Sequence, residues 1–316
     1  MALDLSGKVV VLVGGSGFVG RHLAQELLER GARLRVASRR PERGFDIKPL
    51  GNLGQVRLLR ADLTRAESLP GIVAGADAVV NLAGTFGADL GEVMGDGPGL
   101  LAAAAREAGV ATFVQISAIG ADPIGDTAYA RAKAAGEAAV RVALPQATIV
   151  RPSILFGPDD QFINRFAGLI AALPVLPVFA PEAKLQPLFV DDCARAISAA
   201  LADPATHGGK TYELAGPEVM TMLALNKRIR AAIERETHLI PLPDAVSGFI
   251  AATTGWLPGA PITSDQLKLL KAGNVASGQL PGLAALGVTA RPLELFVDRW
   301  LVRFRKQGRF ADRVTA

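Results

Sequence analysis

Short apolar runs alternate along the chain with longer segments in which apolar residues recur every three or four positions. Short runs rich in Val, Ile and Leu are typical of strands buried on both faces of a sheet, and the longer period is typical of helices that pack one face on that sheet. The pattern predicts strands at residues 9–13, 34–38, 55–60, 78–81, 112–116, 148–150, 188–190 and 211–214. It predicts helices at residues 19–30, 100–107, 129–142, 162–173, 193–201 and 221–235.

A glycine-rich turn joins the first predicted strand to the first predicted helix. Glycine lets such a turn be tight and lets backbone N–H groups approach a pyrophosphate, and the positive end of the following helix points at the same place. The turn therefore predicts a dinucleotide site, with Gly31 placed to end the helix in a left-handed conformation. The candidate phosphate-binding residues are Gly14, Gly15, Ser16, Gly17, Phe18, Val19 and Gly20.

Strands and helices alternate at short intervals as far as residue 153. This order predicts an α/β fold with a Rossmann-type doubly wound parallel sheet, whose ligand lies at the carboxyl ends of the strands. Prolines then interrupt the rhythm. We expect a nucleotide-binding domain at residues 1–153, to which residues 187–216 return, and a smaller, partly interleaved cap at residues 154–186 and 217–316.

Composition excludes several classes of protein. Cys193 is the single cysteine and only three histidines are present, so we expect neither a disulfide framework nor a metal site. The formal net charge of +4 and the pI of about 9.4 give a mild bias toward anionic partners and do not indicate nucleic-acid binding. No signal peptide fits before the first strand, and no apolar run reaches the roughly 18 residues of a membrane-spanning helix. We therefore expect a cytoplasmic protein.

The second predicted strand ends in Ser38 and is followed by Arg39 and Arg40. An NAD-preferring site usually carries Asp or Glu here, which accepts hydrogen bonds from the adenosine ribose. A pair of guanidinium groups instead suits a 2′-phosphate, which a carboxylate would repel. The sequence thus favours NADP(H) over NAD(H), against the alternative that the two arginines form a solvated basic turn.

Two further strand ends carry candidate cofactor contacts. Asp62 follows the third strand, where its carboxylate either accepts from the adenine amino group or caps the next helical segment. The fourth strand ends in Asn81 and continues into Leu82, Ala83 and Gly84. Small residues at this place let a cofactor lie close to the backbone.

Tyr129 and Lys133 lie one helical turn apart, and Ser117 follows the fifth strand 12 residues before the tyrosine. A phenol has an unperturbed pKa of about 10, and a nearby ammonium lowers it toward the range of a useful acid or base. Lys133 can also donate to the nicotinamide ribose, and the Ser117 hydroxyl can orient a carbonyl beside the tyrosine. These three are the candidate catalytic residues. The alternative is an aromatic residue at the rim of a surface helix beside a solvated lysine.

Taken in order, these motifs resemble the short-chain dehydrogenase/reductase superfamily in its extended or atypical branch. The resemblance covers essentially the whole chain and includes an Arg-Pro-Ser motif after the sixth strand. It implies cofactor contacts from further residues of the matching motifs, besides those given above and besides the catalytic tyrosine and lysine. These further residues are Leu63, Ile116, Arg151, Pro152, Ser153 and Ile154.

A narrower resemblance is to bacterial relatives of the nucleotide-binding accessory subunit of respiratory complex I, the alpha-subcomplex subunit nine family. It rests on residues 14–23, 37–41, 116–122 and 151–158. The resemblance implies a Rossmann domain that holds NADP(H), with a structural role on the peripheral arm near the membrane. It implies as partners the peripheral-arm subunits of complex I or an anionic membrane surface, and it adds the cytoplasmic face of the inner membrane as a location.

The intact Ser117, Tyr129 and Lys133 keep a second function open. This second function is that of a soluble NADPH-dependent reductase or dehydrogenase, or of an NAD(P)-dependent epimerase. The sugar-nucleotide epimerases of the superfamily have a longer segment between serine and tyrosine than the 12 residues found here, which disfavours a bulky nucleotide-sugar substrate.

The segment 299–310 is basic and aromatic at helical spacing. Such a segment either lies on an anionic surface or packs its apolar residues on the cap while its charges face water.

Overall fold

The structure, a computed structural model, describes residues 5–254, 262–306 and 308. Its strands, in chain order, are β1 (Val9–Val13), β2 (Arg33–Ser38), β3 (Val56–Arg60), β4 (Ala78–Asn81), β5 (Thr112–Ile116), β6 (Thr148–Pro152), β7 (Leu155–Phe156), β8 (Val175–Val178), β9 (Lys184–Leu185), β10 (Leu188–Phe189), β11 (Thr211–Leu214), β12 (Met220–Thr221) and β13 (His238–Pro241).

The α-helices of the same residues are α1 (Phe18–Glu29), α2 (Pro70–Val73), α3 (Gly97–Glu107), α4 (Ala128–Ala143), α5 (Ile163–Ala172), α6 (Val190–Ala202), α7 (Pro204–His207), α8 (Met222–Ala232), α9 (Asp244–Thr254), α10 (Ser264–Lys271) and α11 (Glu294–Leu301). Shorter 3₁₀ and π segments lie at Pro41–Leu50, Ala66–Ser68, Glu92–Asp96, Leu283–Leu286 and Val302–Phe304.

The chain divides into two compact units. Unit 1 comprises Met1–Pro152, Val190–Leu214 and Ser277–Thr289, and unit 2 comprises Ser153–Phe189, Ala215–Ala276 and Ala290–Ala316. The sequence prediction assigned residues 277–289 to the cap, but they belong to unit 1. They are held there by β11, whose Glu213 N donates to Pro281 O at 3.0 Å and whose Glu213 Oε2 accepts from Ser277 N at 2.6 Å. Bonds so distant in sequence leave no local pattern.

Unit 1 is built on seven parallel strands in the order β11-β6-β5-β4-β1-β2-β3. The strand order reverses at β1, which pairs with β2 on one side and with β4 on the other. In an open parallel sheet, the crevice beyond the carboxyl ends at such a switch point takes the ligand. The predicted α/β, doubly wound class is confirmed, and β1, β4, β5 and β11 have the bounds predicted from the sequence.

The core of unit 1 follows from the apolar runs of its central strands. Val11, Val79 and Phe113 are buried and pack with Leu101 of α3 and Val140 of α4. Each such side chain stabilises the fold by about 1.5–3 kcal/mol when it leaves water. Helix α1 packs against α6. The strands therefore form a rigid support for the residues at their carboxyl ends.

Helix α6 begins at Val190 rather than at residue 193, as the sequence had predicted. Asp191 and Asp192 consequently lie in its first turn instead of preceding it, where negative charge stabilises the positive end of a helix. Asp191 contacts His22 at 2.5 Å, and Asp192 pairs with Arg195.

Unit 2 contains short strand pairs among its helices. β8 pairs with β13 in parallel, and β9 pairs with β12 in antiparallel fashion. The sequence prediction left residues 174–187 irregular because of their prolines, yet Pro177 lies within β8 beside Ile240. The partner strand is distant in sequence, so the local pattern could not reveal this pair.

The basic and aromatic tail packs on unit 2 as far as it is described. Leu301 is fully buried and Trp300 and Phe304 are half-buried, whereas Arg299 and Arg303 are exposed. This arrangement agrees with the alternative in which the apolar residues pack and the charges face water. The rest of the predicted segment, residues 307, 309 and 310, lies outside the described residues.

Within residues 5–254 and 262–306, no helix combines the length and the apolar character needed to cross a membrane. The same stretches hold no group of three or more His, Cys, Asp or Glu side chains arranged to bind a metal ion.

Candidate functional site

The glycine turn lies against the chain that follows β4. Gly14 has a φ of +77°, and a Cβ built on it would lie 2.8 Å from Ala83 N. A Cβ on Gly20 would lie 2.1 Å from the Gly15 carbonyl oxygen, so neither position accepts a side chain unless the backbone moves. Gly17 is the N-cap of α1, and no side chain of the described chain caps it. The N–H groups of the first turn are thus left for an anion.

Two hydroxyl oxygens are buried at the carboxyl ends of the sheet. Ser38 ends β2, and Ser117 follows β5 and is 3% exposed. Neither Oγ has a hydrogen-bond partner among the residues that the structure describes. A buried hydroxyl without a partner costs about 1–3 kcal/mol, which a ligand atom that pairs with it would recover. Because β1, which leads into the glycine turn, lies between β2 and β5 in the sheet, these orphaned groups fit a dinucleotide laid across the strand ends.

Arg39 and Arg40 follow β2 and are both exposed. Arg39 Nη1 donates to Asp89 Oδ2 at 2.6 Å, so the guanidinium that the sequence assigned to a 2′-phosphate already faces a carboxylate. The hydrogen bond and the charge of Arg39 hold the pKa of Asp89 below its ordinary value. Any phosphate that binds Arg39 therefore meets an ionised aspartate.

Asp62 is engaged in a tight turn. Its Oδ1 accepts from Thr64 N at 3.1 Å and from Thr64 Oγ1 at 2.9 Å. Burial alone would raise the pKa of Asp62, but these bonds and the charges of Arg39 and Arg65 bring it below the ordinary value. The next 3₁₀ turn has Arg65 as its N-cap, so the capping alternative for Asp62 is wrong. Its contact with adenine stays a prediction, as does that of the buried Leu63 beside it.

A chain of buried polar groups connects β4, β5 and α4. Asn81 Oδ1 accepts from Ala83 N at 3.2 Å, and Asn81 Nδ2 donates to Gln115 Oε1 at 2.9 Å. Gln115 Nε2 donates to Ile116 O at 3.0 Å, and Lys133 Nζ donates to the same carbonyl at 3.3 Å. These bonds hold the turn after β4 and the Lys133 ammonium in one fixed arrangement.

The Tyr129 ring lies 5.8 Å from Lys133 Nζ. Burial lowers the pKa of Lys133 to about 8, although the charge of Glu137 opposes this shift. Burial also raises the pKa of Tyr129 to about 12. The sequence prediction of a lowered phenol pKa is therefore wrong for this structure, because loss of solvent around the phenol outweighs a lysine that is itself buried. At neutral pH the phenol is a proton donor.

Glu137 lies one helical turn beyond Lys133 and binds Arg151 through two parallel hydrogen bonds. Arg151 Nε donates to Oε1 at 2.8 Å and Arg151 Nη2 donates to Oε2 at 2.7 Å. The two side chains are 11% and 23% exposed. Arg151, which the resemblance assigned to the cofactor, thus fastens β6 to α4.

The other two residues of the Arg-Pro-Ser motif, and Ile154 after it, form hydrogen bonds within the protein. Pro152 is buried, and its carbonyl accepts from Ile119 N at 3.1 Å. In unit 2, Ser153 Oγ donates to a backbone carbonyl at 2.6 Å, and Ile154 N donates to a side-chain amide oxygen at 2.5 Å. Their predicted cofactor contacts stay predictions.

Sequence reasoning missed three residues of the site. Phe86 stacks on Tyr129 with ring centres 4.9 Å apart and planes 13° apart, and Asp89 pairs with Arg39. Gln115 links Asn81 to the Ile116 carbonyl, as described above. A long polar side chain between the apolar Val114 and Ile116 of β5 was a signal that could have found Gln115. Phe86 and Asp89 gave no such signal, because their partners are distant in sequence.

Lys133 makes the stability of the fold depend on pH. Its pKa is about 8 in the folded chain against an ordinary 10.5, so between these values the unfolded chain carries a proton that the folded chain lacks. Raising the pH through this window therefore stabilises the fold through this group. We expect the unfolding free energy of the native chain minus that of Lys133→Met to rise by about 1–3 kcal/mol from pH 8 to pH 10.

Denaturant unfolding of both proteins at each pH measures this difference, in which the other titrating groups largely cancel. A difference that stays flat or falls over the window contradicts the buried lysine.

Comparison with known proteins places the chain in a family. The NAD dependent epimerase/dehydratase family matches residues 10–215. The chain is 34% identical over 302 residues to mitochondrial NADH dehydrogenase (ubiquinone) 1 alpha subcomplex subunit 9 of Mus musculus, covering 92% of this chain and 79% of that one. It is 36% identical over 198 residues to ceramide reductase of Caulobacter vibrioides, covering 61% of each chain.

The fold is also that of a solved short-chain dehydrogenase/reductase superfamily protein from Agrobacterium tumefaciens with bound NAD. The TM-score is 0.66 at 19% identity, and the match covers 98% of this chain and all of that one. The family match runs from β1 to the end of β11 and includes the glycine turn, Ser117, Tyr129 and Lys133. The chain therefore belongs to the NAD dependent epimerase/dehydratase family of the short-chain dehydrogenase/reductase superfamily, in the branch that contains the alpha subcomplex subunit 9 proteins.

Proposed function

We propose that this protein holds NADP(H) at the carboxyl ends of β1, β2 and β4 and supports the assembly or stability of a respiratory NADH:ubiquinone oxidoreductase as an accessory subunit. Binding of NADP(H) is supported chiefly by two buried hydroxyl oxygens without a partner, those of Ser38 and Ser117. They lie at the same edge of the sheet as the uncapped start of α1. The similarity to subunit 9 proteins over nearly the whole chain supports the proposed role as an accessory subunit.

Each group of residues at the site contacts a different portion of the cofactor in this proposal. The glycine turn and the first turn of α1 bind the pyrophosphate, and Arg39 and Arg40 bind the 2′-phosphate. Asp62 accepts from the adenine amino group. Lys133 donates to the nicotinamide ribose, and the turn after Asn81 lies along the cofactor. The bound cofactor would supply a nicotinamide that can accept or donate a hydride.

Phe86 stacks on the proposed proton donor. Its ring covers one face of Tyr129, the residue that any carbonyl substrate would have to approach. Its own 68% exposure means that burial does not hold it in place, so the stack is a contact that a bound group can displace. Access of a substrate to this face of Tyr129 therefore requires the Phe86 ring to move.

The proposed association with the oxidoreductase is tested on membranes of the source cells. Gently solubilised membranes are run on a native gel, blotted for this chain and stained in parallel for NADH dehydrogenase activity, with membranes from cells that lack the chain as control. We expect the chain to migrate with the large stained complex. Recovery only in the soluble fraction, even after mild crosslinking, contradicts the accessory role. The proposed binding of NADP(H) is then tested separately.

A second function, reduction of a carbonyl compound with NADPH, is favoured by the unpartnered Ser117 hydroxyl together with the intact Tyr129 and Lys133. In this function the neutral phenol of Tyr129 delivers a proton to the carbonyl oxygen, and Ser117 Oγ donates to the same oxygen. The similarity to ceramide reductase supports long-chain carbonyl compounds as the substrate class.

Tyr129→Phe tests this second function. The substitution removes the proton donor and leaves the ring in place, so turnover on a panel of long-chain ketones is expected to fall at least about 100-fold while the Kd for NADPH changes less than about twofold. Tyr212→Phe is the matched control, since Tyr212 is buried against His207 and has no place in the proposed chemistry. Equal turnover in the two variants excludes Tyr129 as the proton donor.

A further inference from the structure

The loop of residues 85–89 follows β4 and touches two other parts of unit 1. At its end, Asp89 Oδ2 accepts from Arg39 Nη1 at 2.6 Å. Near its start, Phe86 stacks on Tyr129. The loop thus joins the residue predicted to recognise the 2′-phosphate to the residue predicted to transfer a proton. Neither the family match nor the named relatives assign a role to it.

The two contacts belong to one loop that is held together by its own hydrogen bonds. Gly87 N donates to Thr85 Oγ1 at 2.9 Å, and Thr85 Oγ1 donates to Asp89 Oδ1 at 3.3 Å. Leu90 N donates to Gly87 O at 3.2 Å. Because Thr85, at the start of the loop, is hydrogen-bonded to Asp89 at its end, a movement of Asp89 carries the adjacent Phe86 with it.

Arg39 already interacts with two carboxylates. Asp89 is bonded to it, and the charge of Arg39 also acts on Asp62. A 2′-phosphate carries about two negative charges at neutral pH and prefers two parallel hydrogen bonds from a guanidinium. Placed on Arg39, it would lie beside the Asp89 carboxylate, and like charges so close repel each other strongly. The phosphate and Asp89 therefore compete for Arg39.

We propose that Asp89 is a specificity-determining residue that couples the identity of the cofactor to the exposure of Tyr129. A 2′-phosphate takes Arg39 from Asp89, the 85–89 loop moves away, and Phe86 leaves the tyrosine ring. A dinucleotide without the 2′-phosphate leaves the Arg39–Asp89 pair intact and the ring covered. This inference rests on the proposed 2′-phosphate contact of Arg39.

The test uses a ligand that cannot touch Tyr129 directly. Adenosine 2′,5′-bisphosphate carries the 2′-phosphate without a nicotinamide, and AMP is its control. The chain has two tyrosines, so ¹³C-labelled tyrosine gives two resolved sets of ring signals, which Tyr129→Phe assigns. Phe86→Leu supplies the signal position of an uncovered Tyr129.

We expect saturating adenosine 2′,5′-bisphosphate to move the Tyr129 signals toward their position in Phe86→Leu, and AMP to leave them in place. Saturable binding of the bisphosphate with unmoved Tyr129 signals overturns the coupling while leaving the proposed cofactor intact. Failure of both the bisphosphate and NADPH to bind overturns the proposed cofactor and this inference together.

Asp89→Asn gives an independent readout. The variant removes the competing charge, so affinity for adenosine 2′,5′-bisphosphate is expected to rise about threefold, as for loss of one exposed ion pair, with AMP affinity unchanged. Its Tyr129 signals should lie between those of the native chain and Phe86→Leu before any ligand is added. Glu218→Gln removes one carboxylate from a comparable exposed pair with Arg228 in unit 2 and controls for net charge. A fall in bisphosphate affinity in Asp89→Asn would mean that Asp89 orders Arg39 for the phosphate, and would overturn the competition.

Discussion

The double substitution Arg39→Ala with Arg40→Ala is expected to weaken NADPH binding about 100-fold and to change NADH binding by less than about threefold. A hydrogen bond to a charged group contributes about 1.5–3 kcal/mol, and the pair of guanidinium groups at the end of β2 would make one or two of them with the 2′-phosphate. NADH has no phosphate at that position, so the loss should be selective. Titration of the fluorescence of each reduced cofactor measures both constants.

Removing two positive charges from any protein weakens anion binding somewhat, and a matched variant separates this effect. Arg33 and Arg57 are exposed on the same sheet, at the start of β2 and within β3, away from the carboxyl ends of these strands. Arg33→Ala with Arg57→Ala should leave the preference for NADPH unchanged. An equal loss for NADPH and NADH in the Arg39 and Arg40 variant would refute the 2′-phosphate assignment and support the solvated basic turn.

Glu137→Ala is expected to lower the unfolding free energy by about 3 kcal/mol, which is a large part of the stability of an ordinary domain. The substitution removes both hydrogen bonds to Arg151 and leaves its guanidinium, 23% exposed, without the carboxylate that offsets its loss of solvent. It also removes the charge that opposes the lowering of the Lys133 pKa. Denaturant unfolding followed by circular dichroism measures the change.

Glu218→Ala is the matched control for this loss. Glu218 pairs with Arg228 at 2.7 Å, a distance like that of the Glu137 pair, but both side chains are 37% exposed. Solvent screens such a pair, so its loss should cost less than about 1 kcal/mol. Equal destabilisation in the two variants would mean that burial of the Glu137–Arg151 pair does not matter.

The elements around the dinucleotide site could be predicted because their signals are local. A run of valines before Gly14 fixes β1, and Gly31 ends the following helix in the predicted left-handed conformation, with a φ of +79°. The spacing of Tyr129 and Lys133 places them on one face of α4, and Ser117 follows β5 as expected. These features depend on neighbouring residues alone.

The electrostatics of the site could not be predicted, because they depend on burial and on distant partners. Lys133 was expected to activate Tyr129, but the fold buries Lys133 and half-buries Tyr129, and loss of solvent raises the pKa of the phenol against that expectation. Arg39 was expected to face either a 2′-phosphate or solvent, and the chain supplies Asp89 from a loop after β4. No period or spacing in the sequence encodes either effect.

The proposed binding of NADP(H) is tested most directly by identifying the nucleotide that the chain carries. The protein is purified from its source cells without added cofactor, denatured, and its released nucleotides are separated and quantified. We expect NADP(H) approaching one per chain, in at least about tenfold excess over NAD(H), in keeping with a preference of more than about 1.4 kcal/mol. Release of NAD(H) as the main nucleotide, or of none with no uptake of added NADPH, would contradict the proposed binding.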